Sequence, residues 1–337
     1  MNKKILEARD VSKARQFIYG IAILMIVFYH SDFVIKNNTI NIVKAHMDIG
    51  VEIFFFLSGV SLYFAYTKND NTLTFYGHRL IRVLPYYLIF YGIVFTYFNI
   101  IKEYSFSQFF LNYTMLDFWI NGLGNSPWFL AAILVFYLIY PLFYKIYFGK
   151  KNKISLKIVF LSTILLLMLA LIIFCPHLRI FALRIPIFFI GCFMGKLVYD
   201  NKEIKTKHLI SIIAVNIITL VIYIIFKNTL GVKNLFYVPL TFTIIFVLTF
   251  LYKFNSCHLI FLNKVISYLG RYTLEIYLTH EKVKENLSKI LKLINIDFNN
   301  TVYQLVSIIV ALLISVLLSS LIKLILKPIY NKKEKNI

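Results

Sequence analysis

Long apolar runs, broken by short polar clusters, organise this chain from end to end. Each run is close to the twenty or so residues that a helix needs to cross a hydrocarbon layer about 30 Å thick. The pattern predicts ten spanning helices, at 17–35, 49–66, 83–101, 128–147, 157–174, 181–199, 209–226, 235–252, 265–280 and 303–326. The connections between them are too short to hold a water-soluble domain. The longest lie around 102–127 and 281–302, and the second has the mixed charges of an amphipathic surface helix. The expected fold class is therefore all-α: a polytopic integral membrane protein of about ten helices. A single transmembrane domain would fill 1–337, with its core at about 13–328 and no internal repeat.

Composition narrows the choice. Of 337 residues, 60% are hydrophobic and 15% charged, with a mean hydropathy of +0.76. A soluble domain carries roughly a quarter charged residues, so this chain has too little polar surface to enclose a core in water. The formal net charge of +21 would suggest nucleic acid in a soluble protein. Here it points to basic loops held against membrane lipids, with no nucleic-acid partner. About two thirds of the Lys and Arg residues fall on the side that shares both termini, which predicts that both ends are cytoplasmic. The N-terminus is charged and lacks an immediate apolar region, so the first span is expected to serve as the insertion signal. Cys175, Cys192 and Cys257 are scattered, and no metal site is expected.

Ionisable groups inside spans are costly and mark candidate chemistry. His30 sits toward the outer part of span 1, on the same helical face as Tyr19. Glu52 opens span 2 at similar depth. A carboxylate bonded to one imidazole nitrogen would fix the tautomer and leave the other nitrogen as a base. Arg79 and Arg82 form an i, i+3 pair whose planar forks suit phosphate. Plainer readings stand beside each of these: a span-end histidine in interfacial water, a solvated glutamate, a positive-inside anchor. Trp128 opens span 4 as a candidate interface anchor, and Arg184 opens span 6 ahead of the Gly191–Gly195 pair, a helix-packing signature. Arg271 and Glu275 are spaced to neutralise each other in span 9, which ends at His280 near the depth of His30.

In these residues the sequence resembles the acyltransferase family 3 membrane proteins, which O-acylate bacterial surface glycans. GIAILMIVFYH resembles the family's first-span signature and GVEIFFFLSG its second. RLIR matches its Arg-x-x-Arg, WFL…FYLIYPL its fourth span and LGRYTLEIYLTH its late span. The resemblance implies acyl transfer, most readily of acetyl, from cytoplasmic acyl-CoA to a hydroxyl of an extracytoplasmic glycan or its lipid-linked precursor. It implies a bacterial cytoplasmic-membrane location and acyl-CoA as co-substrate with no bound cofactor. His30 would be the essential histidine, and Arg79 and Arg82 would contact the CoA donor. Glu52 is added from its position in span 2, as the group that would orient His30. Where the family has an Arg eleven residues before the histidine, this chain has Tyr19. Arg15, one turn lower, is positioned to substitute, so Arg15 and Tyr19 join the donor-side candidates. Trp128, Arg184, Glu275 and His280 are candidate supporting residues. The fourth span carries Ala131–Ala132 in place of an acidic pair found in some members. A covalent acyl-histidine route stays open. The rival class is a polysaccharide flippase or transporter, which also needs many spans and buried charge.

Overall fold

The computed structural model describes residues 6–102, 105–124, 127–149, 153–226, 232–254, 260–293 and 300–334. Cys257 and part of the 281–302 connection lie outside the described residues. A two-residue strand β1 (Leu6–Glu7) leads into α1 (Ala8–Lys13), α2 (Arg15–Tyr29) and α3 (Asn38–Ala45). Then follow α4 (Gly50–Lys68), α5 (Thr72–Lys102), α6 (Phe106–Tyr113), α7 (Leu116–Asn121), α8 (Trp128–Phe148) and α9 (Ile154–Phe174). The short α10 (Arg179–Ala182) precedes α11 (Ile185–Tyr199), strand β2 (Glu203–Ile204), α12 (Thr206–Ile225) and α13 (Val232–Phe254). The chain closes with α14 (Ile260–Leu269), α15 (Thr273–Leu293) and α16 (Asn300–Glu334).

This is an all-α polytopic membrane protein. Seven described helical segments are long and apolar enough to cross a membrane, and α2 and α14 are shorter apolar helices. Their surroundings make the same point as their length. Helix α9 buries none of its residues and α12 buries only Thr219, so leucines and isoleucines cover their outsides. A helix apolar all round and unburied by protein needs lipid as its solvent.

Four expected boundaries shift. The first span, expected to reach residue 35, ends at Tyr29 with His30 as its C-cap, and no helix follows until Asn38. The third span does not begin near Pro85. Asn71 accepts a hydrogen bond from the Thr74 amide at 2.9 Å, and the helix runs from Thr72 through Pro85. Arg79 and Arg82 therefore lie within a helix rather than at its start. The expected ninth span divides into α14 and α15, because the chain turns at 270–272, where Gly270 presses on the Gln16 carbonyl of α2 too closely for any Cβ. The charged stretch after His280 continues α15 as far as Leu293 instead of forming a separate surface helix, and it buries Lys282 and Val283.

The centre of the bundle is the crossing of α4 and α11. A Cβ on Gly59 would strike the Phe188 carbonyl, and one on Gly191 the Phe56 carbonyl. The Gly191–Gly195 spacing thus lets two backbones touch, as its sequence suggested. Phe136 stacks on Phe188 at 4.0 Å between ring centroids, with Phe55, Phe56 and Phe143 buried around them. At the end where α2 begins, β1 and β2 pair antiparallel, with Leu6 opposite Ile204. Lys253 of α13 closes on Asp10 at 2.6 Å in the same region. The N-terminal arm is thereby tied to the α11–α12 turn and to the end of α13.

Candidate functional site

Helix α2 carries Arg15 at its first residue and His30 at its C-cap. Fifteen residues at about 1.5 Å each separate these ends by about 22 Å. A cavity opens beside each end.

The cavity at the Arg15 end is about 250 Å³. Arg15, Arg79, Arg82 and Arg271 all line it, together with Tyr19, Tyr137 and Glu275. The chain has only seven arginines, so four of them converge on one space. Among the described residues Glu275 is the one carboxylate in the lining, which leaves the cavity strongly positive. Among the described residues, none of these four arginines makes an ion pair. Arg79 is buried between the rings of Phe75 and Tyr137, 5.5 and 5.8 Å from their centroids, and Nη2 donates to the Ser61 carbonyl at 3.4 Å. Its neighbour Arg82 is exposed. Both also line a second opening of about 220 Å³ with His78 and Asn69, so the pair stands between two spaces. Guanidinium forks left free of carboxylates in a sheltered cavity are suited to phosphate.

The cavity at the His30 end is about 360 Å³. His30, Glu281, Asp48, Trp128, Arg184 and Tyr29 contribute to its wall, with Tyr91, Lys282 and Glu285. His30 Nδ1 lies 2.8 Å from Glu281 Oε1. The Lys284 ammonium donates to the His30 carbonyl at 2.6 Å and to Asp32 at 2.9 Å, fixing the backbone at the helix end. With Nδ1–H donated to the carboxylate, His30 Nε2 keeps its lone pair.

Glu52 does not orient His30. It is buried and pairs with Arg184, Nε to Oε1 at 3.2 Å, and accepts from Asn234 at 3.3 Å. Both groups are at the same end of the bundle as His30, but Glu52 lines neither cavity. The guanidinium of Arg184 lies over the Trp128 ring at 5.1 Å and donates to the Ile180 carbonyl at 2.8 Å. Trp128 is thus half-buried against a cation in the wall of the cavity. Glu52 and Arg184 lock α4 to the start of α11; the carboxylate of the histidine comes from α15.

Helix α15 joins the two cavities. Glu275 faces the arginines, and Glu281, about 9 Å further along, faces His30. Between them Tyr277 lines both cavities, the one residue among those described that is common to their walls. Its hydroxyl accepts from the Phe129 amide at 3.3 Å, and the two rings meet edge to face at 5.3 Å. His280 is buried beside His30, with ring centroids 5.3 Å apart. Arg271 and Glu275, expected to neutralise each other, line the arginine cavity together.

Of the candidates named from the sequence, the donor-side residues Arg15, Tyr19, Arg79 and Arg82 line one cavity, joined by the supporting candidate Glu275, and His30, Trp128 and Arg184 line the other. The sequence reading missed Glu281, Arg271 as a cavity cation, and Tyr277. The signal for Glu281 was its position directly after His280, on a helix assumed to have ended.

The family model described as an acyltransferase domain matches residues 18–320, nearly the whole chain. No curated protein and no solved structure matches the chain.

Proposed function

Because the chain belongs to the acyltransferase family, we propose that it transfers acyl groups from acyl-CoA to a sugar hydroxyl across the bacterial cytoplasmic membrane. Acetyl from acetyl-CoA is the donor group in this reading, and a cell-surface glycan or its lipid-linked precursor is the acceptor. Acyl transfer itself follows from the family, and it displaces the transporter alternative. Both termini and the arginine cavity are assigned to the cytoplasmic face.

Four arginines around one cavity support a polyphosphate ligand, and CoA carries its phosphates at the end remote from the thioester. The thioester arm then extends past Tyr277 toward His30. On the far side, Tyr29, Tyr91 and Trp128 offer ring faces for the apolar faces of a sugar, while Asp48 and Glu285 offer acceptors for its hydroxyls. The acceptor hydroxyl gives its proton to His30 Nε2 as its oxygen attacks the thioester carbonyl carbon. The new C–O bond forms, the C–S bond breaks, and the CoA thiolate takes the proton from the imidazolium. Glu281, bonded at Nδ1, stabilises that imidazolium.

The observation that carries this reading is the His30–Glu281 pair in a cavity that backs, across Tyr277, onto a space lined by four arginines. The test uses purified protein in lipid nanodiscs with radiolabelled acetyl-CoA and extracted surface glycan. Label should pass to the glycan with wild type and fail to pass with His30→Ala of equal abundance. Wild-type-like transfer by His30→Ala would remove the assignment. In parallel, mass spectrometry of the surface polysaccharide from a deletion strain identifies the acyl group and its acceptor.

A further inference from the structure

Beside the histidine lies a third, much smaller space of about 20 Å³, lined by His30, His280, Glu281, Ser31, Lys284 and Gln304. It has room for about one water molecule or one ion. His280 is buried to more than nine tenths, and among the described residues its Nε2 has no hydrogen-bond partner. Its Nδ1 is committed: it lies 3.0 Å from the Ile276 carbonyl and 2.9 Å from that of Tyr277. A carbonyl can only accept, so Nδ1 carries the proton and Nε2 presents a lone pair to its surroundings. A buried lone pair with no donor facing it is costly to maintain.

That arrangement is the usual second shell of a metal-bound histidine, one ring nitrogen anchored to a backbone carbonyl and the other free to ligate. Two further ligand groups are at hand. One ligand atom each from His30, His280 and Glu281 lie within 4.8 Å of one another. Two imidazoles and a carboxylate match the three-protein-ligand set that zinc takes when a fourth position is left open. The His30 and Glu281 side chains are 36% and 49% exposed, so an ion has a way in from that end of the bundle. Lys284 does not oppose it, since Asp32 neutralises its ammonium at 2.9 Å. No sequence motif announced the site, because its ligands come from α2 and α15, far apart in the chain.

We propose that His30, His280 and Glu281 form a binding site for a zinc-class divalent cation. Resting on the function proposed above, the bound ion also switches acyl transfer off. It takes one His30 ring nitrogen and the Glu281 carboxylate, and so breaks the Nδ1–carboxylate pair on which proton transfer depends.

The test is binding of the metal alone, independent of any acyl acceptor. Full-length protein in detergent, stripped with EDTA, is titrated with zinc chloride by calorimetry and with cobalt(II) by absorption spectroscopy. The expected result is one ion per chain, with cobalt bands of low-coordinate nitrogen and oxygen ligation. His280→Ala and Glu281→Gln should each weaken binding by at least about tenfold, while His46→Ala and His177→Ala, outside the cluster, should not. Absence of saturable one-to-one binding, or affinity unchanged in both cluster variants, overturns the proposal. The wild-type protein gives a second measurement that needs no variant to fold. Zinc should protect the accessible His30, but not His177, from diethylpyrocarbonate, and an unprotected His30 would count against the site. In the transfer assay, zinc should inhibit wild type over the same concentrations that saturate binding, with reversal by EDTA. Binding without inhibition overturns the switch and leaves the metal site standing. If no transfer is seen without zinc, the acyl-transfer reading fails, and the titration still decides the site.

Discussion

Glu281 Oε1 lies 2.8 Å from His30 Nδ1, and the bond joins the C-cap of α2 to the charged continuation of α15. Glu281 and Glu52, both near this end of the bundle, thus have different work. Glu281 faces the cavity and the imidazole, whereas Glu52 is enclosed with Arg184.

Removing each carboxylate should therefore fail differently. Glu281→Gln keeps the size of the side chain but not its charge, so it should lower kcat by about a hundredfold or more while protein stays folded. Glu52→Gln leaves the buried Arg184 without a counter-charge, a loss of about 3–5 kcal/mol. It should show first as a lower unfolding temperature in detergent. Arg184→Ala combined with Glu52→Gln should cost less than the sum of the single changes. Measuring kcat and thermal unfolding on the same preparations separates the two roles, and a stable Glu52→Gln with hundredfold lower kcat would reverse them.

For the arginine cavity the expected signature lies in donor binding. Arg79→Ala, Arg82→Ala and Arg271→Ala should each raise KM for acyl-CoA by about tenfold or more, the worth of a hydrogen bond to a charged group. Arg79→Lys should recover only part of the loss, because a point charge lacks the planar fork. Arg179→Ala, outside the cavity, is the control. Equal KM for wild type and Arg271→Ala would exclude α15 from the donor site.

Most of the helices were legible in the sequence because lipid demands long apolar runs, although the first predicted span outruns α2, which ends at Tyr29, and the ninth divides into α14 and α15. What could not be read were features set by approach between backbones. Gly270 ends α14 only because the Gln16 carbonyl lies against it, and residue spacing along one chain does not reveal which helix will be its neighbour. The same limit misassigned the partner of His30. Equal depth in adjacent spans made Glu52 a reasonable candidate, but Arg184 is closer to it and satisfies its charge. Glu281 was passed over because hydropathy ended the span at His280, while α15 keeps its hydrogen bonding through a charged stretch that packs against α2 and α16.

The crossing of α4 and α11 should tolerate no side chain at its contact point. Gly191→Leu drives carbon into the Phe56 carbonyl, and overpacking of this kind costs about 1–3 kcal/mol or more. The variant should unfold at a lower temperature in detergent and lose the Glu52–Arg184 contact nearby. Gly77, with open space around it, is the matched control: Gly77→Ala should leave the unfolding temperature unchanged.

Acid should loosen the N-terminal arm. Burial alone would raise the Asp10 carboxyl, but the bond from Lys253, the Glu7 amide and the charges of Lys253 and Lys13 outweigh it and hold the group below its ordinary value. A depressed carboxylate stabilises the fold fully above its unfolded pKa of about 3.9, and that contribution is lost as pH falls through the folded value. Protection of residues 6–14, taken as exchange relative to the intrinsic rate at each pH, should accordingly fall below about pH 4, and Asp10→Asn should show fast exchange already at neutral pH. Exchange in Asp10→Asn that matches wild type at neutral pH would show that the ion pair does not hold the arm.

Tyr277 offers the sharpest test of how the two cavities cooperate. It is common to both walls, and its hydroxyl is held by the Phe129 amide. In the proposed reaction the acyl arm must pass this ring to reach His30. Enlarging the ring should then obstruct transfer without touching the donor's phosphates. Tyr277→Trp should lower kcat by about tenfold or more through misplacement of the thioester, with CoA affinity at the arginine cavity unchanged. Tyr277→Phe keeps the ring and gives up only the bond to Phe129, so its kcat should stay close to wild type. Calorimetric CoA binding beside steady-state transfer kinetics checks both. If Tyr277→Trp weakens CoA binding and kcat together, Tyr277 belongs to the donor site, and the arm reaches His30 by another route.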